Sequence, residues 1–167
     1  MGRASVWLLL TILIAGSTGL IASPVPDSRV HAAEGAVVLL EGEGVDEGLR
    51  RVFLDVERAW RIGGADSLVR HIGERGALLP RSGEERSERF SRSQALYILD
   101  GMMQGSETIS FEFLRFRNLD GANGRPNGAA VREALLPGGA VRRDLVFVAL
   151  ARQDDRWTID EIRTKRP

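Results

Sequence analysis

The chain contains no cysteine. That absence excludes a disulfide framework, a thiol nucleophile, a cysteine-ligated zinc site and lipid attachment through an N-terminal cysteine. Tyrosine occurs once, at Tyr97, and lysine once, at Lys165. Histidine is confined to His31 and His71, and a metal site needs more histidines or clustered carboxylates. No phosphate-binding glycine loop, Walker-type lysine or G-x-S-x-G elbow occurs. Net charge is missing as well, since 23 basic residues face 23 acidic ones. The arginines alternate with Glu and Asp and form no basic block, so nucleic acid is not an expected partner.

What is present begins with a leader. The length of 167 residues suits one domain plus an export signal. Arg3 gives a basic start, "VWLLLTILIAG" an apolar run, and "GLIAS" and "VHAAE" the small residues of a cleavage region after Ala22 or Ala32. The alternative is an uncleaved anchor, but Val6–Ala22 is interrupted by Thr11, Gly16, Ser17, Thr18 and Gly19, and a span needs ~20 mainly apolar residues. The expected organisation is a leader over 1–33, a linker over 34–46 and one domain over 47–167. The protein is expected to be exported, periplasmic or secreted, with membrane contact only through an uncleaved leader. The run Ala36–Leu40 is open between linker and short strand.

Periodicity then divides the domain. Leu49, Val52, Phe53, Val56 and Trp60 form the stripe of an amphipathic helix, capped by Asp46 and stopped by Gly63–Gly64. "DSLVRHIG" predicts a second short helix with Asp66 as N-cap. "GALLP" and "ERSERF" read as two extended pieces around a polar turn. In "FSRSQALYILDGMMQG", Ser91 and Gln94 make the capping box S-x-x-Q, with Phe90 as a small staple on Ala95. Ala95, Leu99, Met102 and Met103 are its buried stripe.

From Ile109 the period changes to two. Ile109, Phe111 and Phe113 alternate with polar residues, and then the phase slips at Leu114. A slip of one residue turns every later side chain to the wrong face unless a bulge absorbs it, so a bulge is predicted near Phe113–Leu114. "NLDGANGRPNG" is loop, and "AAVREALL" is taken as a strand despite its helical propensity. "RDLVFVALAR" is apolar on both parities, as in a strand covered on both faces. "WTIDEIR" slips once more between Ile159 and Ile162. Helices followed by a meander indicate an α+β fold, with a curved antiparallel sheet of about four to six strands around about three helices.

The phrases "VFLDVERAWRIGGADSLVRHI", "FSRSQALYIL" and "RRDLVFVALARQDDRWTIDEIR", spanning about Leu49 to Arg163, carry a family resemblance. The chain resembles the nuclear transport factor 2-like superfamily, a bent sheet wrapped into a cone around helices. Within it, the chain is similar to the uncharacterised bacterial domain of unknown function family 4783. The resemblance implies the cone but no activity, since the superfamily holds isomerases, dehydratases, cyclases and pure binding modules. The acid–tyrosine–acid set of its steroid-isomerase-like members has no matching local motif here, so no catalytic residue is carried over.

Candidate sites are therefore few. Tyr97 and Asp100 share a face of their helix with Ser93 and Gln104, and form either a donor–base pair in a pocket or a solvated rim. His71 reads as structural, near a helix C-terminus. Arg115, Arg117, Arg142 and Arg143 are expected in cross-strand ion pairs with Glu112, Asp144, Asp160 and Glu161, the lesser alternative being a cluster that reads carboxylate or phosphate ligands. Trp60, Phe111, Phe113, Phe147 and Trp157 are core, or the apolar wall of a pocket if the cone is hollow. No cofactor is implied. The leading expectation is a non-enzymatic binding domain taking a small apolar ligand or a protein partner at the cone mouth. The alternatives are a lyase or isomerase with a carboxylate in the cone, and an envelope protein that self-associates, as a homodimer or larger, through its sheet face. A cone filled by Phe, Trp and Met would weaken both pocket readings and favour interaction.

Overall fold

The structure, a computed structural model, describes residues 40, 44–81, 86–121 and 124–166. The leader and the cleavage region lie outside the described residues. Among those described, no helix is long and apolar enough to cross a membrane.

Helix α1, Glu47–Ile62, starts where Asp46 accepts the Leu49 amide at 3.1 Å and ends at Gly63 in the left-handed conformation, φ 74°. Its whole apolar stripe is buried. Helix α2 is Ala65–Val69. Asp66 is not its cap: the helix begins at the glycine, and Ser67 donates to the Gly64 carbonyl at 2.6 Å, so Asp66 falls inside the first turn. His71 lies just past the helix end and pairs with Asp55 of α1 at 2.8 Å, fastening the two helices together.

Strands β1 (Ala77–Pro80) and β2 (Ser87–Phe90) form a hairpin. Helix α3, Arg92–Gln104, has the complete capping box, with the Ser91 hydroxyl accepting from the Gln94 amide and Gln94 Oε1 accepting from the Ser91 amide. Strands β3 (Glu107–Arg117), β4 (Asn127–Leu135), β5 (Val141–Gln153) and β6 (Arg156–Lys165) follow. The sheet is six-stranded and unclosed, in the order β2-β1-β6-β5-β4-β3, antiparallel except where β1 runs parallel to β6.

Two irregularities resolve the phase slips. The β3–β4 register skips Leu114, so Phe113 pairs with Ala130 and Phe116 with Gly128, both facing inward. The β5–β6 register skips Asp160, which keeps Ile159 and Ile162 on the inner face. A further skip at Ile109 was not anticipated, and it leaves that residue 44% exposed instead of in the core. Bulges add twist and bend, and the sheet wraps α1 on its concave side.

Small residues on β4 make room for that helix. Gly128, Ala130 and Ala134 share the inner parity, and a β-carbon on Gly128 would stand 2.8 Å from Phe113 Cε1. β5 is interior in the sheet but covered on one face only: Val146, Val148 and Leu150 are buried, while Leu145 on the outer face is largely exposed. No described helix packs on that outer side. Leu40 is buried in the same core, so the stretch assigned to the linker supplies a core side chain.

Candidate functional site

The interior of the cone is packed with rings. Trp60 stacks on Phe111 with centroids 5.7 Å apart, Phe111 meets Phe113 edge-on at 5.4 Å, and Phe53 meets Phe113 and Phe116 at 5.4 and 4.9 Å. Edge-to-face and stacked rings at these separations satisfy aromatic electrostatics as well as burial. Trp60, Phe111 and Phe113 are therefore core. Of the other two aromatic candidates, Phe147 lies on the outer face beneath the Arg163 guanidinium. Trp157 is half-buried against Gly48 and Gly121, at the N-terminal end of α1.

Tyr97 is 80% exposed on the outer side of α3, and its neighbour Asp100 accepts from Gln104 Nε2 at 2.7 Å. Their side chains form a solvated face. Ser93 lines a separate shallow hollow with Val69, Gly73, Ser91, Arg92 and Leu96.

An open cleft of about 680 Å³ lies at the mouth of the cone. The end of α1 contributes Arg61, Ile62 and Gly63, the end of α3 contributes Met103 and Gln104, and Ser106 to Ile109 form the far wall. Exposed Ile62 (73%) and Ile109 (44%) line the cleft together with the polar Arg61, Gln104, Ser106, Glu107 and Thr108, so its wall is mixed. None of the five aromatic candidates is among these lining residues.

Two charged groups behind the cleft were not singled out by sequence reasoning. Arg132, on the inner face of β4, is 2% exposed. Its Nε donates to Thr108 Oγ1 at 2.9 Å, Nη1 to the Met102 carbonyl at 3.4 Å, and Nη2 to the Ser106 carbonyl and hydroxyl at 3.1 Å. Its guanidinium lies 4.9 Å over the Trp60 ring. One carbonyl in the last turn of α3, that of Met102, and the Ser106 carbonyl just past its end thus receive a cation from β4, where the helix dipole favours one. Burial depresses the Arg132 pKa, Asp144 opposes that shift, and Arg142 adds to it. Asp144 is the register partner of Arg132 and accepts from Arg142 Nε at 2.9 Å.

Glu57, on α1, is 5% exposed. Its Oε1 accepts from Arg61 Nη1 at 3.4 Å, and its buried Oε2 has no hydrogen-bond partner. Burial pushes its pKa up from 4.5 to about 7, against the opposing pull of Arg61, with Glu112 adding to the rise. The one signal for Glu57 in the sequence is its position, three residues before Trp60 on the buried stripe. For Arg132 it is strand parity with Ala130 and Ala134.

The expected arginine pairings were partly displaced. Arg142 does pair with Asp144, but Asp160 and Glu161 engage Arg89, Arg125 and Arg163. Among the described residues, no group of three or more histidines or carboxylates is placed to hold a metal ion.

No family model matches the chain, and no curated protein matches it. Solved structures do. A DUF4783 family protein from Bacteroides fragilis is 18% identical, with a TM-score of 0.51, covering 68% of this chain and 96% of that one. A domain of unknown function with a cystatin-like fold from Nostoc punctiforme is 16% identical, with a TM-score of 0.56, covering 75% and 79%. An NTF-2 like protein of unknown function from Shewanella oneidensis is 14% identical, with a TM-score of 0.51, covering 71% and 96%. The fold is the nuclear transport factor 2-like cone, and proteins of family 4783 are among its structural neighbours.

Proposed function

We propose that the chain is an exported binding domain that engages a protein partner at the mouth of the cone. The filled aromatic interior carries this reading. A small-molecule site buries most of its ligand in a preformed cavity, and here rings occupy that space. The remaining cleft is open, with Ile62 and Ile109 exposed on its rim, an arrangement suited to receiving apolar side chains from another surface. The test is a thermal-shift screen of the mature domain against cell-envelope fractions, run beside the double variant Ile62→Asp, Ile109→Asp. A partner that binds only the folded state raises the melting temperature, and the shift should vanish in the variant. No shift with any fraction counts against the reading. Export rests on the leader pattern, and N-terminal mass spectrometry of the mature protein from its compartment tests it.

A second reading, a lyase or isomerase, draws support from Glu57. A buried carboxylate with its pKa near 7 has the properties of a general base, and Arg61 connects it to the cleft. Should a reaction be found, Glu57→Gln ought to abolish it while Asp100→Asn leaves it intact. The opposite result would end this reading.

A further inference from the structure

The outer face of the sheet carries an arrangement unrelated to the mouth and independent of the function proposed for it. On the outward parity of β3 to β6 stand Arg115, Arg117, Arg143, Arg156, Arg163 and Lys165, against Glu107, Glu112, Glu133 and Glu161. A chain with no net charge therefore concentrates cations on one face. At the β6 end of that face, five charges alternate. Arg89 Nη2 reaches Asp160 Oδ1 at 3.2 Å, Arg125 Nη1 takes the other oxygen, Arg125 Nη2 lies 3.8 Å from Glu161 Oε2, and Arg163 Nε lies 3.0 Å from Glu161 Oε1.

The two acids and the three bases differ in exposure. The Asp160 and Glu161 side chains are 12% and 10% exposed, whereas Arg89, Arg125 and Arg163 are 43–54% exposed. The carboxylates sit beneath and the guanidiniums on top. The bulge at Asp160 produces this, because it sets two consecutive acidic residues against one stretch of β5. Arg163 is held further by lying 4.7 Å over the Phe147 ring, and Arg89 by donating to the Gly76 carbonyl at 3.1 Å. Guanidinium side chains usually lose rotamer freedom on binding. Here these contacts already restrict the three side chains, and the group keeps one positive charge in excess.

We propose that Arg89, Arg125 and Arg163 form a seat for a phosphate group. A tetrahedral oxyanion accepts several N–H bonds at once from forked guanidiniums, and these three are gathered around the same two carboxylates. Arg163 binds Glu161 through Nε, so that bond does not use its two terminal amino groups. The phosphate belongs to a soluble phosphate monoester or to a lipid headgroup, which share the recognised chemistry.

The experiment uses the mature protein at constant ionic strength, with chloride replaced by glycerol phosphate and binding followed by titration calorimetry. Saturable binding is expected. Arg125→Gln and Arg163→Gln should each weaken it about tenfold, while Arg115→Gln and Arg117→Gln, three strands away on the same face, should not. A parallel arm measures sedimentation with phosphatidylglycerol vesicles against phosphatidylcholine ones. Binding in one arm alone identifies the source of the phosphate. Binding in neither arm, or equal weakening by all four variants, overturns the proposal. A melting curve of each variant confirms folding, and if Arg125→Gln unfolds, Arg163→Gln decides the outcome.

Discussion

At the scale of single residues, the two groups behind the mouth make opposite predictions. Glu57 keeps its proton in the folded state up to about pH 7, while the unfolded chain gives it up near 4.5. The folded state therefore binds more protons across that interval, and stability contributed by this site falls as pH rises through it, by ~3 kcal/mol in all. Below pH 4.5 both states hold the proton and the site is neutral in its effect. Glu57→Gln should remove this dependence and raise stability at pH 8, as urea titrations at several pH values would reveal. Arg132 should behave in reverse. Arg132→Met leaves the Thr108, Ser106 and Met102 acceptors without their donor and is expected to cost ~3 kcal/mol. Arg132→Lys should not recover the loss, because one ammonium cannot reproduce the fork. Gly128 is fixed by space: the contacts its β-carbon would make with Phe113 and Phe116 predict that Gly128→Ala lowers the melting temperature.

Elements follow more local rules. The cap of α3 uses groups three residues apart, so it was legible in the string "SRSQ" before any fold was known. Ser91→Ala should cost ~1 kcal/mol, and Ser91→Asp should roughly preserve stability, since either oxygen accepts the N3 amide. The bulges at Leu114 and Asp160 were legible for a related reason, because a strand cannot change phase and keep one buried face. The skip at Ile109 was hidden: Ile109 continues the alternation of Phe111 and Phe113, and only its pairing with β4 turns it outward. Asp66 misled because a short polar residue before an apolar run resembles a cap, while the preceding glycines had already turned the chain into the helix.

For the whole molecule, the decisive fact is how completely the cone is filled. Phe53, Trp60, Phe111 and Phe113 come from two elements, and their mutual packing uses the space that a ligand would need. Leu40 is 1% exposed, so Leu40→Ala should cost ~3 kcal/mol, measured by chemical denaturation. A boundary at residue 46 predicts no effect. Because the helices and five of the six strands bury one shared cluster, with Phe90 of β2 packed against it, far- and near-ultraviolet circular dichroism should lose their signals in one coincident transition.

By itself, the sequence determined what short-range chemistry can settle: the order of helices and strands, the capping of α3, two of three bulges, the exclusion of thiol chemistry, and through its phrases the cone. Each depends on residues a few positions apart, where backbone geometry dictates the outcome. Tertiary structure alone decided that the cone is filled, that Tyr97 faces solvent, that Arg132 from β4 caps a helix nearly thirty residues earlier, and that Asp160 and Glu161 gather Arg89, Arg125 and Arg163. Those outcomes depend on which side chains the curved sheet brings together. A buried charge selects its partner by distance in space, on which spacing along the chain carries no information.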